Sequence, residues 1–230
     1  MFDLKKYSTL LLDADETLLD FEKAEAYSIK QTCEKFSIPF SSERAELYSS
    51  INQALWKRHE KGEVTKAEIK LNRFVQFAKA VDSSADPREM GSFYEATLST
   101  CGELLDGAAE FCAELSRHYK LYIVTNGLAT VQRPRLNASG LLPFFEKVFI
   151  SEEYGSQKPE KLFFDKIFKE IPEKDKGRIC IIGDSMSSDI LGGINAGIDT
   201  CFFNPKNRPE TLTPTYKAES FKDMLKIFVP

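Results

Sequence analysis

The chain has 230 residues, 42% of them hydrophobic and 29% charged. That length holds one large domain or two unequal ones, and the composition excludes a disordered chain, a collagen-like repeat and a coiled rod. Thirty-one basic against 35 acidic residues leave a formal charge of −4, which argues against a basic surface for a nucleic-acid polymer.

No apolar run approaches the roughly 20 residues of a membrane span. The opening Met1-Phe2-Asp3-Leu4-Lys5-Lys6 lacks the charged-then-apolar order of a secretion signal, so a cytoplasmic protein is expected. The five cysteines, at 33, 101, 112, 180 and 201, are odd in number and scattered, with no CxxC pair. Buried thiols in a reducing compartment are expected, rather than disulfides or a zinc site.

Thr9-Leu10-Leu11-Leu12-Asp13 is a short apolar run ending in a carboxylate, which predicts a strand buried on both faces. More than a hundred residues follow without another such run. They carry helical spacing instead: Leu47, Ile51, Ala54 and Leu55, then Leu71, Phe74, Val75 and Ala78, then Met90, Phe93, Tyr94 and Leu98. A structureless connection of that length is rare, so an inserted helical subdomain is expected. Turn-rich breaks at 37–42 and 82–87 fit helix boundaries inside it. A helix through Ala108, Phe111, Cys112 and Leu115 comes next, then strands over 121–125 and 148–151. A helix through Phe164, Ile167, Phe168 and Ile171 leads to strands over 179–184 and 200–204. Phe221, Met224, Leu225 and Phe228 form a last helix, capped by Ser220 and Asp223. Strands alternating with helices predict an α/β fold: a three-layer αβα Rossmann-like core with a parallel sheet. The expected division is a core of residues 1–18 and 104–230 with an all-helical cap of 19–103.

Ligands of open parallel sheets bind beyond the carboxyl ends of the strands, and four polar clusters fall there. Asp13-Ala14-Asp15-Glu16-Thr17 places two carboxylates two residues apart at a strand end. One can attack phosphorus or carbon; the other can protonate a leaving oxygen and later deprotonate water. The same residues also suit a solvated turn or helix cap. Thr125-Asn126-Gly127 offers a hydroxyl and turn amides for an anion, or an ordinary turn. Lys158, before Pro159, is either a point charge over the cleft or a surface lysine. Asp184 ends an apolar run as Asp13 does, and Asp189 lies five residues on. Carboxylates gathered with Asp13 need a cation, and hard oxygen ligands favour Mg²⁺. Asp189 is alternatively a favourable charge at a helix N-terminus. Gly192-Gly193 and Gly197 suit close helix–sheet packing and a helix end.

In order and character, these four clusters resemble the motifs of the haloacid dehalogenase-like hydrolase superfamily, and the helical insert resembles its type 1 cap. Thr125-Asn126-Gly127, Gln132 to Gly140, Phe149-Ile150-Ser151-Glu152-Glu153-Tyr154-Gly155, Lys158-Pro159 and Gly192-Gly193-Ile194-Asn195-Ala196-Gly197 are similar to its bacterial pyrimidine 5′-nucleotidase group. The resemblance implies phosphate removal from nucleoside monophosphates, non-standard ones included. It implies that Asp13 becomes phosphorylated and that Asp15 acts as acid, then base. It further implies that Asp13, the Asp15 backbone carbonyl, Asp184 and Asp189 hold Mg²⁺, the last directly or at one remove. Thr125, the Asn126 amide and Lys158 would bind the phosphate oxygens. Glu16 departs from the pattern, because a glycine is frequent there in many phosphatases.

Phe2, Phe21 and Trp56 are candidates for base stacking, with Trp56 better suited to a bundle core; His59 and His118 have no place in the chemistry. A haloacid dehalogenase on the same fold would use Asp13 but has no need of Asp15 or Mg²⁺. A phosphatase or phosphomutase acting on phosphoglycolate or sugar phosphates would share the whole core. A non-catalytic scaffold would not need the full set. The expected partner is a small phosphomonoester, with no membrane and no nucleic-acid polymer, and the expected state is a monomer.

Overall fold

The computed structural model describes residues 6–229. Six strands form one sheet: β1 (Thr9–Leu12), β2 (Lys120–Thr125), β3 (Lys147–Ile150), β4 (Ile179–Gly183), β5 (Asp199–Phe203) and β6 (Tyr216–Ala218). Their order is β3-β2-β1-β4-β5-β6 and every pairing is parallel. β6 has no counterpart in the sequence expectations. Tyr216-Lys217-Ala218 is too short and too polar to register as an apolar run.

The helices are α1 (Phe21–Lys35), α2 (Ser42–Glu60), α3 (Lys66–Ala80), α4 (Pro87–Leu98), α5 (Ala108–Leu115), α6 (Ala129–Ala138), α7 (Ser151–Tyr154), α8 (Lys161–Glu170), α9 (Leu191–Ala196) and α10 (Phe221–Phe228). Among the described residues, none is long and apolar enough to cross a membrane. The chain divides into two compact units. One takes the chain up to Asp20, Glu103–Ala129 and everything from Ser139 onward; the other takes Phe21–Gly102 and Thr130–Ala138.

The sheet explains the continuous apolar runs. Side chains alternate between faces along a strand. Leu10 and Leu12 join Leu121, Cys180, Ile182, Cys201 and Phe203 in one cluster, covered by Phe111 and Leu115 of α5 and Met224 and Phe228 of α10. Leu11 joins Val124, Phe149, Ile179 and Ile181 in the other, covered by Phe163, Phe164 and Ile167 of α8. Both faces are buried, so no polar alternation survives in the strands. Gly192 and Gly193 bring α9 against this second layer. A Cβ on Gly193 would lie 2.4 Å from Thr200 Cγ2, and one on Gly192 2.8 Å from Phe164 Cε2. The five cysteines are buried and none forms a disulfide.

The helical unit departs from its apolar pattern in a definite way. α2 buries Tyr48, Asn52 and Leu55, whereas Leu47 and Ile51 are half-buried and Ala54 is exposed. α3 buries Ile69, Arg73, Phe74, Phe77 and Ala78, and Val75 is 42% exposed. The reason is a buried polar network. Asn52 Nδ2 donates to Glu25 Oε1 at 2.7 Å, and Arg73 Nη2 to Glu95 Oε1 at 2.9 Å. The Arg73 guanidinium also lies 4.8 Å from the centre of the Tyr94 ring. Apolar periodicity assigns such residues to the outside, because unpaired they would belong there. α1, polar along most of its length, escapes the same test. Trp56 packs against Leu55, Val64 and Ile69, with His59 edge-on at 5.7 Å. Phe2 lies outside the described residues.

Candidate active site

The strand order runs outward from β1 in both directions: β2 and β3 on one side, β4, β5 and β6 on the other. This reversal between β1 and β4 opens a crevice at their carboxyl ends. Leu12 is level with Ile182, and Asp13 N–H donates to the Ile182 carbonyl at 2.9 Å. Asp13 and Asp184 therefore leave neighbouring strands side by side.

Lys158 joins them. Its peptide bond to Pro159 is cis, and α8 begins only at Lys161. Nζ donates to Asp13 Oδ1 at 2.5 Å, Asp189 Oδ1 at 2.6 Å and the Val124 carbonyl at 2.8 Å. These three bonds use every donor of an ammonium. Asn126 holds the lysine from behind: its Oδ1 accepts from Lys158 N–H at 2.9 Å and its Nδ2 donates to the Lys158 carbonyl at 2.8 Å. The Asn126 side chain is thus committed to Lys158 and, through Nδ2 at 3.3 Å, to Ser188 Oγ, and any anion contact falls to its main-chain amide. Thr125 is buried beside it, its Oγ1 accepting from Gly127 N–H at 3.1 Å.

Asp189 sits in a π-type turn, Met186–Ile190, rather than in a regular first helical turn. Its Oδ2 accepts from Ser185 N–H at 3.1 Å while Oδ1 faces Lys158. Gly183 makes room for it. A Cβ there would stand 2.2 Å from Asp189 Cγ and 2.6 Å from its Cβ, so Gly183→Ala must displace the carboxylate. The expected cost is about 1–3 kcal/mol of stability from overpacking, with turnover down by roughly a hundredfold. Thermal melting and steady-state kinetics on the variant check both.

Asp13, Asp184 and Asp189 each present an oxygen within 4.8 Å of the others, and all three are buried. Burial pushes the Asp13 carboxyl well up, and the charges of Asp189 and Asp184 add to this, against the opposing Lys158. Burial, with the Asp189 charge, pushes Asp184 up to about 7. Burial works against the Lys158 charge too, but Asp13 and Asp189 outweigh it and hold the ammonium protonated. Three buried carboxylates with one enclosed lysine make a site that gains from a further cation. Hard, clustered oxygens are the donor set that Mg²⁺ takes. The residues fit that ion.

Asp15 lies two residues beyond Asp13, half-buried, its backbone bridged to Leu19. Glu16 adopts φ +59°, the left-handed region that glycine enters at no cost, which gives a physical reason for glycine at this position. Its carboxylate is paired with Lys206 at 2.6 Å. Thr17 Oγ1 donates to Asp13 Oδ2 at 3.4 Å. The structure thus gathers Asp13, Thr125, Asn126, Lys158, Asp184 and Asp189 at one strand edge, with Asp15 on the adjoining turn. Sequence reasoning missed Lys206 and Arg208, the latter bound to Asp184. The available signal was Asn204-Pro205, another polar strand end.

A family model for haloacid dehalogenase-like hydrolase matches residues 7–197. The chain belongs to the haloacid dehalogenase-like hydrolase family. HAD-hydrolase YfnB of Bacillus subtilis is 39% identical over 226 residues, covering 97% of this chain and 96% of YfnB. A crystal structure of YfnB bound to magnesium superposes with a TM-score of 0.94 at 38% identity, covering 98% of this chain and all of that one. The pyrimidine 5′-nucleotidase PynA of Streptococcus pneumoniae is 38% identical, covering 95% of this chain and 94% of PynA. The pyrimidine 5′-nucleotidase YjjG of Escherichia coli is 32% identical, covering 95% and 96%. The candidate site stands at the carboxyl edge of the parallel sheet, where β1, β2 and β4 end side by side.

Proposed function

We propose that this chain is a Mg²⁺-dependent 5′-nucleotidase that hydrolyses pyrimidine nucleoside monophosphates through an aspartyl phosphate on Asp13. The observation that carries this reading is the Asp13–Lys158–Asp189 arrangement beside Asp184, in a chain similar from end to end to two pyrimidine 5′-nucleotidases.

An Asp13 oxygen bonds to phosphorus as the bond from phosphorus to the ribose oxygen breaks, and the Asp15 carboxyl gives that oxygen its proton. Asp15, now a carboxylate, takes a proton from water as the water attacks phosphorus, and Asp13 is released. Lys158 neutralises Asp13 before attack. As the carboxylate charge passes into the ester, the same ammonium turns to a phosphate oxygen. The Thr125 hydroxyl and the Asn126 amide complete the phosphate cradle. Asp13, the Asp15 carbonyl, Asp184 and Asp189 would hold Mg²⁺, which when bound offsets repulsion between an anionic nucleophile and an anionic substrate. Substrate choice falls to the helical unit of α1–α4, read here as a cap; in Trp56 that unit holds a ring already engaged in packing. Asp15 weighs against a dehalogenase, since a departing halide takes no proton.

The Asp15 role is tested with two leaving groups. With p-nitrophenyl phosphate, whose leaving group departs without a proton, Asp15→Asn is expected to release about one equivalent of nitrophenol per active site, then slow sharply. With a nucleoside monophosphate it is expected to show no such burst. Equal slowing of both substrates from the first turnover contradicts the acid–base assignment.

A further inference from the structure

The loop after β5 is built around a buried asparagine. Asn204 Oδ1 accepts from Arg208 N–H at 2.8 Å, and Asn204 Nδ2 donates to the Arg208 carbonyl at 2.9 Å. Asn207 N–H returns to the Asn204 carbonyl at 3.2 Å. This closed five-residue loop fixes the root of two basic side chains. Lys206 Nζ reaches Glu16 at 2.6 Å, and Arg208 Nη2 reaches Asp184 Oδ2 at 2.7 Å. The device matches the one behind Lys158, where Asn126 grips the lysine's N–H and carbonyl in the same reciprocal way. Two asparagines at strand ends therefore pin two cations onto one acidic cluster.

The two cations differ in enclosure. The Lys158 side chain is 2% exposed and has no room to leave. The Arg208 side chain is 41% exposed and is held to the site through the bond to Asp184. Its root is fixed while its head has open solvent to swing into.

We propose that Arg208 is a built-in counter-cation of Asp184, which a divalent metal must displace or repel, so that this loop sets the metal affinity of the site. The proposal rests on the reading of Asp13, Asp184 and Asp189 as metal-binding. Guanidinium and metal draw on the same carboxylate, and two cations on one anion repel each other. Before the metal arrives, Arg208 compensates a charge that burial and Asp189 would otherwise penalise. Lys206 does the same for Glu16, so this extra carboxylate is engaged at the rim.

The test is calorimetric titration of Mg²⁺ into the full chain after chelator treatment, using wild type, Arg208→Gln, Arg208→Lys and Asp184→Asn. Arg208→Gln is expected to bind Mg²⁺ about tenfold more tightly, as removal of one nearby unit charge requires. Arg208→Lys is expected to stay within about twofold of wild type. In chelator, Arg208→Gln is expected to melt below wild type, with the gap closing at saturating Mg²⁺. These opposite signs separate a counter-cation from an arginine that merely braces the loop, whose loss would weaken binding and lower melting under both conditions. Equal or weaker Mg²⁺ binding by Arg208→Gln, or Arg208→Lys binding as tightly as Arg208→Gln, overturns the proposal. A wild type without Mg²⁺ binding, or binding indifferent to Asp184→Asn, overturns the metal reading beneath it.

Discussion

Asp13→Asn is expected to lose phosphate release by roughly 10⁴-fold or more while keeping the fold. An amide has no anionic oxygen to form the phosphoryl ester, and neither Asp15 nor water can replace it from the same position. The structural cost is small. The carbonyl oxygen of the new amide still accepts from Lys158, and one of three crowded negative charges disappears. Burial already raises the proton affinity of Asp13, so a neutral side chain suits that position. Melting within a few degrees of wild type, or above it, is therefore expected. A variant that keeps a tenth of its turnover refutes the nucleophile, and one that unfolds refutes the charge argument.

Lys158→Met is expected to fail in both respects. Removing one partner of a buried ion pair costs about 3–5 kcal/mol, because the remaining charge is left without compensation. Here two carboxylates, Asp13 and Asp189, lose their shared donor. For a chain of this size the melting temperature should fall by about 10 °C. Millimolar Mg²⁺ should restore part of that loss by supplying positive charge to the same oxygens. The double variant Lys158→Met/Asp189→Asn should recover part of the stability, because it removes one of the two stranded charges, and recover no turnover. Additive losses in the double variant would show that the two residues are not coupled. Thermal melts of wild type, the two single variants and the double variant, with and without Mg²⁺, decide this.

The parts of the structure legible in the sequence are those where one physical rule acts alone. Leu10, Leu11 and Leu12 read as a strand because both sheet faces are covered. Asp13 and Asp184 read as candidate site residues because a carboxylate ending such a run has no apolar place to go, and the structure brings the two together with Asp189. Helices between β1 and β2 were legible from the length of that stretch, its helical spacing and its lack of another strand-like run. Details failed where burial depends on pairing. Asn52 and Arg73 turn inward in α2 and α3 because Glu25 and Glu95 receive them, and no one-dimensional pattern contains those partners. Arg208 was missed for the same reason, since its bond to Asp184 spans 24 residues of sequence. Gly183 falls inside the strand expected over 179–184 with no signal of its own, and only the Asp189 side chain beside it shows why a Cβ is barred.

The most direct measurement is phosphate release from a panel of UMP, dUMP, dTMP, purine monophosphates, phosphoglycolate and sugar phosphates, each with Mg²⁺ and with EDTA. The pyrimidine monophosphates are expected to be turned over fastest, and EDTA is expected to abolish all release. Fastest release from phosphoglycolate or a sugar phosphate, or release that persists in EDTA, would contradict a Mg²⁺-dependent pyrimidine 5′-nucleotidase.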